Sequence, residues 1–113
     1  MTSPAMKAIL CALGAAALLA SGNAPAAGDP QAGAAKAQVC EACHGAGGDS
    51  KVPDFPKLAG QRPDYLAKVL RDYKSGARKN AIMAPMAQPL TAQDIENLAA
   101  YYAAQPAVLV VKH

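Results

Sequence analysis

Apolar positions along this chain recur at helical spacing and predict three helices. After Pro63, residues Tyr65, Leu66, Val69, Leu70 and Tyr73 fall on one helical face, Lys68, Arg71 and Lys74 occupy the opposite one, and Gly76 stands where a C-terminal cap is expected. After Thr91, a stripe of Ile95, Leu98, Ala99 and Tyr102 runs until Pro106 stops it, and Asp94, three positions beyond Thr91, completes a capping-box pattern. An earlier helix opens at Asp29-Pro30, with Asp29 as N-cap and Pro30 at the first helical position, where its missing N–H costs nothing. That helix is predicted to run through residues 31–39 into Cys40. Between these elements, the glycines of 45–50 together with Pro53 and Pro56 predict an irregular stretch to about Gly60. Residues 76–89 contain Pro85, Pro89, Met83 and Met86 without a period, and are expected to form a second loop. No pair of strands joined by a hairpin turn is visible. The expected architecture is all-α, three main helices with long loops.

The first 26 residues have a different character. Lys7, an apolar run over 8–20, and the small-residue zone Ala24-Pro25-Ala26 read as a signal peptide cleaved after Ala26. The apolar run is too short to span a bilayer and no stop-transfer segment follows, so no retained membrane anchor is expected and the product is placed in the periplasm. Cys11 would leave with this segment; a lipoprotein cysteine would want a small residue before it, where Leu10 stands. The predicted organisation is a signal peptide at 1–26, one domain at 27–106 and a C-terminal tail at 107–113. The apolar, β-branched part of that tail fits an edge strand, a packed tail or an association surface equally.

Composition adds a constraint. With one Phe, four Tyr and no Trp, so short a chain assembles only a marginal core from its own side chains, and something apolar must supplement it. The formal charge of +3 falls to +2 once Lys7 is removed, too small a bias for nucleic acid.

The supplement is indicated by Cys40-Glu41-Ala42-Cys43-His44, a C-x-x-C-H sequence of the kind that attaches a c-type haem. Positions i and i+3 are neighbours on a helical surface, so both sulfurs can reach the two vinyl groups of one porphyrin. His44, directly after, is then held over the iron as proximal ligand. A thioredoxin-like site would want a βαβ context, structural zinc would want a fourth ligand beyond Cys40, Cys43, His44 and the remote His113, and a disulfide closing so short a loop would add little stability. For the sixth position, Met83, Met86 and His113 are the available donors. Met83 is preferred, with Met86 second, because both methionines fall in an irregular loop rather than on an apolar helix stripe, and a thioether on iron raises the potential.

From about residue 28 to 105 the chain resembles a class I cytochrome c, most of all the small periplasmic branch that includes the single domains of tandem dihaem cytochromes. The resemblance is carried by Cys40-Glu41-Ala42-Cys43-His44-Gly45, by Phe55-Pro56-Lys57-Leu58-Ala59-Gly60-Gln61, by Gly76-Ala77-Arg78-Lys79-Asn80, and by Leu90-Thr91-Ala92-Gln93-Asp94-Ile95 leading into Leu98-Ala99-Ala100-Tyr101-Tyr102. It implies helices wrapped around one covalent haem, with Met83 at the place of the methionine ligand. It also implies a Pro56 carbonyl accepting from the ligand imidazole, and a close helix crossing at Gly33 and Tyr101. Arg78 is a candidate partner for a haem propionate.

These readings imply a carrier of single electrons rather than an enzyme, since an iron with two protein ligands has no open position and no acid–base or nucleophilic constellation appears elsewhere. The expected partners are redox proteins, a terminal oxidase or a periplasmic dehydrogenase. Lys68, Arg71, Lys74, Arg78 and Lys79 offer a basic face that an acidic partner could dock on, with an on-rate falling as salt rises. The alternatives are a dedicated haem subunit of an oxidoreductase complex and, ranked last, a small-ligand sensor.

Overall fold

A computed structural model describes residues 27–107; the expected signal peptide, and the tail beyond Ala107, lie outside the described residues. The chain forms α1 (Pro30–Lys36), α2 (Gln38–His44), a 3-10 turn (Ala46–Gly48), α3 (Pro63–Ser75), α4 (Met83–Ala87) and α5 (Ala92–Ala103), with no strand among the described residues. The all-α expectation holds.

Local chemistry sets most boundaries. The Asp29 carboxylate accepts from Gln31 N at 2.9 Å, with Pro30 in the first turn of α1. Gly76 closes α3 in a left-handed conformation (φ +84°) with no heavy atom within 4 Å of where a Cβ would stand. Thr91 and Asp94 cap α5 reciprocally, each side chain bonding the other's backbone N–H at 3.0 Å. Thr91→Ala is expected to cost about 1 kcal/mol in denaturant unfolding. The bond from the Thr91 backbone is the main reason the Asp94 carboxyl is held below its ordinary 3.8, with Lys36 adding to it. A depressed carboxyl stabilises the fold above its unfolded-state value and loses that contribution as pH falls through the folded value. The stability lost on Asp94→Ala, which removes the carboxylate, should therefore shrink as pH falls through and below the ordinary carboxyl range.

Two elements differ from expectation. The first helix is not continuous into Cys40: it is broken at Ala37, which is fully buried, and Cys40 N reaches back only three residues, to the Ala37 carbonyl, at 2.9 Å. That tighter turn re-aims the chain just ahead of the cysteines. The stretch around the methionines is not a plain loop either, because Met83–Ala87 is a short helix. Its entry is satisfied by Asn80, whose Oδ1 accepts from both Ile82 N and Met83 N at 2.9 Å, and Pro85 sits in the first turn, where no intrahelical N–H is needed.

The core lies where α1 and α3 both pack on α5. A Cβ on Gly33 would stand 2.0 Å from the Asn97 carbonyl oxygen, so α1 crosses α5 at backbone contact. The crossing is pinned by Asp29 N donating to buried Asn97 Oδ1 at 2.9 Å. The buried apolar side chains are Leu66, Ile95, Leu98, Tyr102 and the alanines 37, 67, 87 and 99, so half of this core is alanine. The long loop after α2 folds back on itself through Leu58 N and Ala59 N, which donate to the Gly48 carbonyl at 2.8 and 3.2 Å, and is tied to α5 by Gly60 N on the Tyr102 carbonyl at 2.9 Å. These bonds set Pro56 beside the end of α2.

Candidate functional site

The turn of α2 carries Cys40, half-buried, and Cys43, exposed, as free thiols three positions apart. His44 ends the same helix and is 7% exposed. Its Nδ1 lies 2.7 Å from the Pro56 carbonyl oxygen. A carbonyl only accepts, so Nδ1 carries the proton and Nε2 is the nitrogen with a lone pair to offer.

These residues form one wall of a cavity of about 370 Å³. The apolar stripe of α3, namely Tyr65, Leu66, Val69, Leu70 and Tyr73, forms a second wall; Leu98, Ala99 and Tyr102 of α5 form the floor, and α4 contributes Met83 and Met86. Arg78 also lines it, its guanidinium 5.3 Å from the centroid of the Tyr73 ring. Cys40, Cys43, His44, Pro56, Arg78 and Met83 are thus brought to one cavity, together with Met86. Apolar walls, two thiols, an oriented imidazole and thioethers suit a large flat apolar group bonded at one edge and ligated through a soft metal centre. The alanine-rich core leaves space that such a group would fill. Among the described residues there is no group of three or more His, Cys, Asp and Glu placed to hold a metal ion.

Three features escaped the sequence reading. Glu41, a spacer between the cysteines, accepts from Tyr101 Oη at 3.1 Å and from Gly47 N at 3.3 Å, tying the attachment turn to α5. Burial, with this carboxylate beside it, pushes the Tyr101 phenol up. Tyr102 lines the cavity while its hydroxyl is buried; burial, with Cys40 as the next contributor, raises its pKa well beyond the ordinary range. Desolvation likewise raises the Cys40 thiol above 9.0. The third is the fate of the basic face. Lys68 pairs with Asp72, Arg71 with Glu96 at 3.0 Å, and Lys74 donates to the Leu90 carbonyl. Two of the five charges are compensated within the chain and a third is held against the backbone, so the face offers a partner less free charge than its sequence suggests. Only the i, i+4 pair of Lys68 and Asp72 could have been read from spacing.

Fold and site together define a small helical domain whose two thiols and one imidazole suit a flat, edge-attached cofactor. The chain belongs to the cytochrome c family: the profile described as cytochrome C oxidase, cbb3-type, subunit III matches residues 26–101. Cytochrome c4 of Thiocapsa roseopersicina is 61% identical over 84 residues, covering 74% of this chain and 43% of that protein. The thiosulfate dehydrogenase electron acceptor of Thiomonas intermedia is 48% identical over 68 residues, 59% of this chain and 31% of that one. Among solved structures, reduced recombinant cytochrome c4 from Pseudomonas stutzeri superposes with a TM-score of 0.68 at 47% identity, over 71% of this chain and 47% of that one. The chain spans less than half the length of the first relatives it matches. Among the described residues no helix is long and apolar enough to cross a membrane.

Proposed function

We propose that the chain is a periplasmic carrier of single electrons, working through one haem c bonded to Cys40 and Cys43. One C-x-x-C-H occurs in the sequence, hence one haem. His44 Nε2 is the proximal ligand and Met83 the distal one; the Pro56 carbonyl orients the imidazole, and Arg78 answers a propionate. The domain is 27–106, exported by the signal peptide at 1–26. The observation that carries this reading is the convergence of both cysteines, a carbonyl-anchored buried histidine and a methionine-bearing helix on one apolar cavity.

When bound, the haem supplies a one-electron iron couple. The chain's own residues set its conditions. The Nδ1–H donation to Pro56 selects which nitrogen is offered and raises its basicity. The walls of α3 and α5 exclude water and lower the local dielectric. With His44 and Met83 both committed, no position is left for a substrate, so the chain passes electrons and makes no bonds.

The partners this reading supplies are a terminal oxidase or a periplasmic dehydrogenase. Likeness to thiosulfate dehydrogenase electron acceptors favours the dehydrogenase; the second reading, a dedicated haem subunit that would co-purify with a catalytic partner, fits these relatives less well. The test is the optical spectrum of the reduced, matured protein before and after carbon monoxide. A covalent low-spin spectrum unmoved by carbon monoxide is expected. Absence of covalent haem sinks the reading, and a shift on adding carbon monoxide replaces the carrier with an open-site protein.

A further inference from the structure

We propose that the Tyr102 hydroxyl donates a hydrogen bond to the Cys40 sulfur once that sulfur is a thioether, making Tyr102 a positioning residue that tunes the attached cofactor; this rests on the haem reading above. Tyr102 is 3% exposed, near the end of α5, and among the described residues its Oη is the one buried side-chain nitrogen or oxygen without a hydrogen-bond partner. An unpaired buried hydroxyl destabilises the fold, and a phenylalanine would fill the same space without that cost. A tyrosine kept there implies an acceptor.

Its surroundings narrow the acceptor. Tyr102 and Cys40 both line the cavity, and Cys40 packs against the core cluster that contains Tyr102. The cluster's other large side chains, Leu66, Ile95 and Leu98, are hydrocarbon, and the adjacent Tyr101 gives its own hydroxyl to Glu41. A free thiol is a weak donor as well as a weak acceptor, whereas a thioether has lone pairs alone, so attachment turns Cys40 into a pure acceptor facing an uncommitted donor. Donation to that sulfur withdraws electron density inductively through the saturated carbon that links it to the ring, and favours the reduced state.

The test is Tyr102→Phe, prepared as the matured full-length holoprotein, with potential and stability both read. The equilibrium constant for one-electron reduction should fall about threefold, or about 30 mV at 59 mV per tenfold, and the unfolding midpoint should fall with it. An unmoved potential with equal or greater stability overturns the proposal. Should the variant not mature, the wild type answers alone. Exchange of the phenolic proton in D2O should shift the thioether C–S band in resonance Raman, and an unshifted band overturns the proposal. A wild type without covalent haem overturns the haem reading and this proposal together, whereas a normal covalent spectrum with an unmoved potential overturns Tyr102's role alone.

Discussion

Gly33→Val will not accumulate as folded protein, and Gly33→Ala will lose about 3 kcal/mol or more of stability. The reason is backbone against backbone. A Cβ at this position would stand 2.0 Å from the Asn97 carbonyl oxygen and 2.7 Å from Tyr101 Cβ, so no side-chain rotation relieves it. The Asn97 carbonyl is part of the α5 ladder and cannot swing aside without breaking it. Relief requires α1 and α5 to separate, which breaks the bond from Asp29 N to Asn97 Oδ1 and opens the core around Ile95 and Leu98. The separation would also carry α2, and with it both cysteines, away from the floor of the cavity. Gly76→Ala is the control: its left-handed φ penalises a side chain, but nothing lies within 4 Å, so about 1 kcal/mol is expected. Denaturant unfolding followed by circular dichroism compares the two variants. Equal losses would mean that conformational freedom, not the crossing, is what Gly33 supplies.

The parts of this fold legible in sequence are those set by chemistry within a few residues. Asp29 with Pro30, Thr91 with Asp94, and Gly76 each satisfy or end a helix locally, and each stands where its residue type implies. The break at Ala37 carries no such mark. Alanine is the best helix former, and the turn tightens there because the site is fully buried under α5, a tertiary cause. Helix α4 was hidden by Pro85, which reads as a breaker until Asn80 is seen to open the turn ahead of it, where a proline is tolerated. Asn80 is the signal that could have found it. For the site, the C-x-x-C-H motif gives the attachment turn from spacing alone. Pro56 follows only from resemblance, because the loop that brings its carbonyl to His44 is held by non-local bonds such as Gly60 N to the Tyr102 carbonyl. Glu41 and Tyr102 act through contacts with residues some sixty positions away in the chain, as Tyr101 on Glu41 shows, and no local pattern announces them.

Replacing Met83 by alanine will convert a low-spin protein indifferent to carbon monoxide into one that binds it, and will lower the potential by about 100 mV or more. Replacing Met86 will do neither. Helix α4 sets the contest, because residues three apart share a helical face, and both thioethers line the cavity. Their footing differs. Met83 is half-buried and begins the helix, its backbone N–H held by Asn80 Oδ1 at 2.9 Å, whereas Met86 is 40% exposed, one turn further on. A ligand must be held in place through each electron transfer, and the anchored, less exposed sulfur meets that demand with less loss of side-chain freedom. Asn80→Ala therefore becomes informative as well. It frees the entry of α4 without touching a sulfur, and should leave the resting spectrum low-spin while making carbon monoxide binding detectable. If Met86→Ala alone produces the high-spin, carbon monoxide-binding form, the thioether assignment passes to Met86, and the anchoring of Met83 by Asn80 serves only to seat the helix that presents it.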